Sequence, residues 1–198
     1  MGPAVGAVFS GQLSNRGEIL HLVDRTGRTL LRFEFGDTWP WPEAADGGGH
    51  TLVLARPELG MDQPEAWRAS VLPEGTPGTS DASRFVGDPA LDADGDGLPA
   101  IVEYALGSDD ANPGSGRGAM EAELDDAGWF VVRIRRNAAA DDVELGVETS
   151  TDLTGWTPAV WRGVKPVMPG QVTETWGVPV TNEAQVFLRF TVVHRARN

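Results

Sequence analysis

The sequence contains no cysteine among its 198 residues. Disulfide bonds, thiolate metal sites and cysteine nucleophiles are therefore excluded. Basic side chains are also scarce, with 16 lysines and arginines against 29 aspartates and glutamates and a net charge of −13. A chain this acidic cannot neutralise phosphates through a basic face, so we expect no nucleic-acid partner.

Long apolar runs are missing as well. No stretch of the sequence is long and apolar enough to cross a bilayer, so no membrane span is expected. No basic segment followed by an apolar one marks a signal peptide at the start of the chain. Such a beginning is typical either of an intracellular protein or of a piece of a longer one.

Turn-forming residues are abundant, since 25 glycines and 14 prolines separate short apolar runs. This composition favours many short strands over long helices. Alternation of apolar and polar residues predicts the strands 8–13, 18–24, 28–35, 50–55, 120–124, 132–135, 143–148, 159–164, 171–180 and 185–193. Short strands with regular turns indicate a mostly β chain with two β-sandwich units.

The negative charge is concentrated in the middle of the chain. Residues 81–126 hold 12 acidic and 2 basic side chains, whereas residues 1–80 have a net charge of −4 and residues 127–198 one of +1. We therefore divide the chain into a first sandwich unit at 1–80, an acidic connector at 81–119 and a second sandwich unit at 120–198. Within the connector, a short helix is predicted from Pro99 to Gly107, because proline suits a first helical turn and glycine a helix end.

One motif in the connector has a spacing with chemical meaning. Residues 92–103 read DADGDGLPAIVE, which fits the calcium-loop pattern D-x-[DN]-x-[DN]-G-x5-E at every fixed position. Ca²⁺ takes six to eight oxygen ligands at about 2.3–2.6 Å, and Gly97 permits the sharp turn that brings them together. The predicted ligands are the carboxylates of Asp92, Asp94, Asp96 and Glu103 and the backbone carbonyl of Leu98.

One other interpretation of this segment remains open. It can be an acidic, solvated turn that holds no metal, as acidic turns around glycines often are. It is not expected to be half of a paired EF-hand, because residues 85–91 contain glycine and proline where the first helix would run. Asp109 or Asp110, just past the helix, is either a further ligand or a solvated carboxylate.

Tryptophans supply the other candidate binding group. Trp39, Trp41 and Trp67 form either a stacking platform for sugar rings or an apolar cap on the open end of a sandwich. The histidines are isolated in sequence, and no G-x-S-x-G elbow or other catalytic signature is present. We therefore expect a protein that is not an enzyme.

The pieces resemble an arrangement found in bacterial surface proteins. Residues 8–54 resemble the second half of a lamin-tail-like domain, an immunoglobulin-like β-sandwich. The resemblance rests on the stretches 9–15 (FSGQLSN), 35–37 (FGD), 39–42 (WPWP) and 45–47 (ADG), with 67–70 (WRAS) and 75–78 (GTPG) similar to the close of that domain. Its early strands are missing before residue 8, which implies a partial domain at 1–80 and a chain that is the C-terminal fragment of a longer protein.

The rest of the chain is similar to other parts of such proteins. Residues 92–107 resemble the calcium loops of dockerins and thrombospondin-type-3-like linkers. Residues 129–156 resemble small β-sandwich modules at C-termini, through 135–137 (RRN), 148–153 (ETSTDL) and Trp156. The resemblance implies two immunoglobulin-like β-sandwich units joined by an acidic calcium-binding linker with one short helix.

These observations lead to a hypothesis about function. We expect a non-catalytic, calcium-stabilised structural or adhesive tail of a larger extracellular bacterial protein, with the signal peptide upstream of this fragment. The bound ion is expected to rigidify the linker and set the angle between the two sandwiches. The expected partner is a protein or a polysaccharide at the cell surface. The alternative is a carbohydrate-binding module of a secreted hydrolase that uses Trp39 and Trp41. An enzyme with two dispersed carboxylates is a further alternative, without a local sign in the sequence.

Overall fold

The structure, a computed structural model, describes residues 10–179 and 185–195. The chain divides into two compact units, Met1–Asp81 and Ala82–Asn198. The described part is mostly β with a single α-helix, which confirms the predicted fold class at this level. Among the described residues, none of the helical segments has the length and apolar character required to cross a bilayer.

The first unit is built from two short antiparallel pairs of strands. The strands are β1 (Glu18–Val23), β2 (Thr29–Phe35), β3 (Leu52–Leu54) and β4 (Trp67–Ala69), with β1 pairing with β2 and β3 with β4. The β1–β2 turn is closed by the Asp24 carboxylate, which accepts hydrogen bonds from the backbone N–H groups of Thr26 (2.8 Å) and Arg28 (3.0 Å). Gly27 completes this turn at φ +85°, a conformation that glycine adopts without strain.

The strand predicted at 8–13 is wrong where it can be checked, since residues 10–13 form no strand. Residues 8 and 9 lie outside the described residues. The strand β4 was not predicted. Its three residues are too few to show an alternating pattern, and it exists because it pairs with β3.

Aromatic packing and the largely buried ion pair between Arg68 and Asp81 stabilise the first unit. Phe33 is buried, as the alternation in residues 31–35 predicts. Its ring stacks on Trp67 with centroids 5.0 Å apart, a contact that the alternation does not predict. The Arg68 guanidinium donates to the Asp81 carboxylate at 2.6 Å, and Asp81 also accepts the backbone N–H of Val71 at 2.8 Å. The last residue of the unit is thereby tied to β4.

The second unit contains two antiparallel sheets. Its strands are β5 (Met120–Leu124), β6 (Trp129–Asn137), β7 (Val143–Ser150), β8 (Thr157–Pro158), β9 (Val160–Met168), β10 (Gln171–Pro179) and β11 (Phe187–His194). One sheet has the order β5-β6-β10-β9 and the other the order β11-β7-β8. The alternating segments of the sequence therefore correspond closely to strands.

A single helix, α1 (Ala100–Leu106), belongs to the second unit. Gly107 ends it in the left-handed conformation at φ +70°, as predicted. Ala105 and Leu106 are buried in one apolar cluster together with residues of both sheets. The buried strand residues of this cluster are Val132 and Ile134 from β6 and Val143, Leu145 and Val147 from β7. The helix of the predicted connector is thus part of this core, and the immunoglobulin-like character of either unit stays a prediction.

Candidate metal centre

Three aspartates converge in the loop before α1. Asp92, Asp94 and Asp96 each offer one carboxylate oxygen, and these three oxygens lie within 4.8 Å of one another. Alternate residues of an extended chain would project on the same side but too far apart, so the convergence requires the loop to turn back on itself. The group could hold a metal ion, as the spacing predicts.

The backbone of the loop directs these carboxylates inward. Asp92 accepts hydrogen bonds from the N–H groups of Gly95 (2.8 Å) and Gly97 (3.0 Å), and Asp94 accepts one from Asp96 (3.0 Å). The two glycines have φ values of +76° and +95°, which few other residues adopt. The loop is therefore held in its turned form by its own side chains.

Glu103, the predicted fourth carboxylate ligand, lies in the middle of α1. Its exposed fraction is 0%, although a carboxylate is almost never fully buried without a partner. One oxygen, Oε1, lies 3.4 Å from the Ser115 hydroxyl, whose single proton also has a nearer acceptor in the Asp109 carbonyl at 3.2 Å. The other oxygen, Oε2, is buried without any hydrogen-bond partner. An unpaired buried carboxylate oxygen is costly, and a cation is one of the few groups that would satisfy it.

Electrostatics links Glu103 to the aspartate loop. Burial raises the pKa of Glu103, and the negative charges of Asp94 and Asp96 raise it further. The pKa of Asp94 is raised for the same reasons, first by burial and then by the charges of Asp96, Asp92 and Asp110, against an opposing hydrogen bond from the Asp96 N–H. Asp94 Oδ2, like Glu103 Oε2, is a buried oxygen without a partner. The four predicted carboxylates thus form one electrostatic group.

Leu98 joins the aspartate loop to the helix. Its backbone N–H donates to Asp96 Oδ1 at 2.9 Å, and its side chain packs against the apolar cluster of the second unit. A side chain on Gly116 would place its Cβ only 2.5 Å from Leu98 Cδ1, so Gly116 lies close against the Leu98 side chain. The predicted role of its carbonyl as a ligand stays a prediction.

The segment that follows α1 contributes to the same region. Asp110 Oδ1 accepts the backbone N–H of Ala93 at 3.2 Å, and Asp110 is among the groups that raise the pKa of Glu103. Asp109 differs, since it is exposed and its carboxylate accepts the N–H of Ala111 at 3.1 Å. The contact of Ser115 with Glu103 had no signal in the sequence, because it depends on how this segment folds.

The donor set fits a hard cation. Every candidate side chain offers carboxylate oxygen, and such ligands suit Mg²⁺, Ca²⁺ or Mn²⁺ rather than the thiophilic metals. The histidines occupy other places: His21 bonds to Thr29 (2.8 Å), His50 to the Ser70 carbonyl (2.6 Å), and His194 lies 3.7 Å from Asp142. The residues present therefore fit a metal ion that prefers oxygen ligands.

The two tryptophans of the alternative site have different environments. Trp41 is half-buried, with its ring centroid 6.2 Å from that of Trp67, and a Cβ on Gly36 would come within 2.7 Å of it. Trp39 has an exposed fraction of 56%. Trp41 and Trp67 therefore belong to the packing of the first unit, and Trp39 is the tryptophan of this group that solvent reaches most.

The comparisons with known proteins give no match for this chain. No protein-family model, curated protein or solved structure matches the chain. The lamin-tail-like, dockerin-like and C-terminal-module resemblances therefore stay predictions from short motifs. Asp92, Asp94, Asp96 and Glu103 are therefore the residues that indicate a function for this chain.

Proposed function

We propose that residues 92–103 bind one Ca²⁺ and that the chain is a non-catalytic, calcium-stabilised structural or adhesive module. The observation that carries the proposal is Glu103, which is fully buried and has one oxygen without a partner. It is near enough to Asp94 and Asp96, two of the three convergent aspartates, for their charges to raise its pKa. A solvated acidic turn would leave this glutamate in water. Its burial is better explained by a cation that neutralises it.

The ligand set favours Ca²⁺ over Mg²⁺. Mg²⁺ keeps several waters and is usually held by one or two carboxylates, whereas Ca²⁺ accepts many protein oxygens in a flexible shell. Asp92, Asp94, Asp96 and Glu103 would hold the ion, and the Leu98 carbonyl completes the proposed set. When bound, the ion would supply positive charge that offsets the repulsion among these carboxylates.

The same geometry suggests what the ion does for the protein. Glu103 is on α1, and the neighbouring residues Ala105 and Leu106 are buried in the core of the second unit. A ligand bond to Glu103 would hold the helix in the position that this core requires. We therefore propose that calcium stabilises the second unit as a whole, rather than the loop alone.

The calcium affinity expected of the proposed site supports a location outside the cell. Extracellular modules bind Ca²⁺ with dissociation constants of about 10⁻⁴–10⁻³ M, and an open loop of this kind would be filled in calcium-rich surroundings. Together with the resemblances to immunoglobulin-like, lamin-tail-like and dockerin-like segments, this supports an extracellular or cell-surface location. The partner in this proposal is a surface protein or polysaccharide.

Calorimetry with full-length protein tests the proposal. Titration with CaCl₂ should give saturable heat for the wild type, and Glu103→Gln should weaken binding by about tenfold or more, because it removes a ligand charge. Glu121→Gln removes the same charge from an exposed position on β5 and should bind as the wild type does. No heat with the wild type, together with a melting temperature unchanged by EDTA, would refute calcium binding.

A carbohydrate-binding module is the second candidate, favoured by the exposure of Trp39. An exposed indole can stack on the apolar face of a sugar ring. Titration of tryptophan fluorescence with polysaccharides, in the wild type and in Trp39→Ala, separates the two candidates. A saturable change that Trp39→Ala abolishes would support sugar binding, and no change would leave the structural role.

A further inference from the structure

The structure distinguishes two adjacent aspartates that follow α1. Asp110 is half-buried and reaches back to the aspartate loop, where its Oδ1 accepts the N–H of Ala93 at 3.2 Å. Asp109 is exposed and accepts only the local N–H of Ala111, at 3.1 Å, among the bonds described for its carboxylate. Asp109 and Asp110 are adjacent and carry the same charge, but the first is exposed and the second is half-buried.

Asp110 is in the same electrostatic group as the proposed ligands. Its Oδ1 accepts the N–H of Ala93 at 3.2 Å, and Ala93 lies between the proposed ligands Asp92 and Asp94. This hydrogen bond holds the Asp110 carboxylate at the start of the aspartate loop, where its charge also raises the pKa of Asp94. A fifth carboxylate in this position adds to the repulsion unless it shares a cation with the other four.

We propose that Asp110 is a further ligand of the calcium ion, so that the site is closed by two loops, 92–98 before α1 and 108–116 after it. This inference rests on the proposed calcium binding. The second loop also supplies Ser115, whose hydroxyl accepts the N–H of Asp109 at 2.9 Å and has two acceptors within reach, the Asp109 carbonyl at 3.2 Å and Glu103 Oε1 at 3.4 Å. Its Gly116 lies against the Leu98 side chain, so the two loops already pack together.

A two-loop site has a mechanical consequence. The guanidinium of Arg135, on β6, donates to the Ser115 carbonyl at 2.8 Å. An ion held by both loops is therefore linked to the sheet through the second loop and to the core through α1. Calcium would then bind the loops on both sides of α1. A ligand set confined to residues 92–103 would leave the loop after α1 without a bond to the ion.

Matched variants of the full chain test whether Asp110 binds the calcium ion. Calcium binding is measured by calorimetry for the wild type, Asp110→Asn, Asp110→Ala and Asp109→Asn. Asn at 110 keeps an oxygen that can accept the Ala93 N–H but removes the charge. The proposal predicts that Asp110→Asn weakens calcium binding by about tenfold or more, while Asp109→Asn, which removes the same charge one residue away, binds as the wild type does.

A second readout excludes simple loss of structure. Without calcium, the wild type has five crowded carboxylates, so Asp110→Asn should melt at a higher temperature than the wild type in EDTA and gain less when calcium is added. A variant that merely damages the fold would melt lower under both conditions.

The remaining outcomes overturn the inference in distinguishable ways. If Asp110→Asn and Asp109→Asn bind equally well while Glu103→Gln does not, Asp110 is not a ligand and the loop site stands without it. If only Asp110→Ala is weakened, the residue acts through the Ala93 hydrogen bond, and the inference is wrong. Absence of binding by the wild type removes the calcium site together with this inference.

Discussion

The Tyr104 hydroxyl donates a 2.8 Å hydrogen bond to Asp142 Oδ1, which joins α1 to the residue immediately before β7. The other oxygen of Asp142 accepts the backbone N–H of Phe85 at 2.7 Å, and the Phe85 ring packs edge-on against Tyr104 with centroids 5.5 Å apart. Tyr104 is the next residue after Glu103. One helix thus carries the buried glutamate of the proposed metal site and an anchor to the segment before β7.

The first prediction concerns this anchor. Tyr104→Phe removes the hydroxyl and leaves one Asp142 oxygen without its donor, so we expect the free energy of unfolding to fall by about 1–2 kcal/mol in urea denaturation. Ser83→Ala is the matched control, because Ser83 contacts the same hydroxyl at 2.9 Å but does not bond Asp142 in the described contacts. An equal or larger loss with Ser83→Ala would contradict the importance of the Asp142 bond.

A second prediction uses the fact that the sequence contains one tyrosine. Burial, followed by the charges of Asp142 and Asp141, raises the pKa of Tyr104 to about 12 from the ordinary 10.0. Ultraviolet titration of tyrosinate should therefore show ionisation near the higher value in the folded protein and near 10.0 in denaturant. Between these values the folded state keeps a proton that the unfolded state loses, so the free energy of unfolding falls as the pH rises.

The tyrosine titration has a direct control. Tyr104→Phe should abolish the tyrosinate signal and reduce the loss of stability in that alkaline range. A folded-state transition at the ordinary pKa would show that Tyr104 is not buried beside Asp142.

A third prediction concerns removal of the metal. Because an ion that binds only the folded state stabilises it by mass action, free calcium at about 100 times the dissociation constant should add about 2.7 kcal/mol to the free energy of unfolding. EDTA should reverse this gain in the wild type. In Glu103→Gln the calcium-dependent gain should be much smaller, whereas Glu121→Gln should respond as the wild type does.

A fourth prediction compares how much Trp41 and Trp39 contribute to the stability of the first unit. Trp41 packs on Trp67 and Gly36, so Trp41→Ala should leave a cavity and destabilise the first unit by about 3 kcal/mol. Trp39 is exposed, and Trp39→Ala should cost much less. Thermal unfolding of the two variants side by side provides the measurement, and equal losses would show that Trp39 is also a packing residue.

A fifth prediction concerns the ion pair between Arg68 and Asp81. Asp81→Asn leaves a largely buried guanidinium without its counter-ion, so the free energy of unfolding should fall by about 2–3 kcal/mol. Asp46→Asn changes the same charge in an exposed turn of that unit and should have little effect.

The same pair predicts a pH dependence. Burial on its own would raise the pKa of Asp81, but the hydrogen bonds from Arg68 and the Val71 N–H lower it overall from 3.8. The stabilisation is therefore complete above the unfolded-state value and is lost as the pH falls through the lower folded-state value. Asp81→Asn should show a smaller loss of stability in that acid range than the wild type does.

The strands of the second unit could be predicted closely because apolar and polar residues alternate over a half-buried surface. The buried residues Val143, Leu145 and Val147, for example, alternate along β7 as the sequence indicates. β4 could not be predicted, since a three-residue strand has no measurable period and depends on pairing with distant β3. The failure at residues 10–13 shows the converse, because a local pattern without a described partner strand does not make a strand.

The proposed metal site could likewise be predicted only in part from the sequence. The spacing of Asp92, Asp94 and Asp96 encodes their convergence, because the loop closes over a few residues and glycines permit its turns. The complete burial of Glu103 and the difference between Asp109 and Asp110 are not encoded by spacing. They depend on contacts between the segments before and after α1, such as Gly116 against Leu98 and Asp110 with the Ala93 N–H, which are tertiary contacts.

The proposed ligands, from Asp92 to Asp110, lie within one short stretch of chain. By contrast, β11 must travel back to pair with β7, with Phe187 opposite Ser150 and His194 opposite Val143. Closing a short loop costs less conformational entropy than closing a long one, and local contacts form sooner during folding. If calcium binds as proposed, it would organise the two loops and α1 before the last strand docks, and the ion would then act on the order in which this unit is assembled as well as on its final stability.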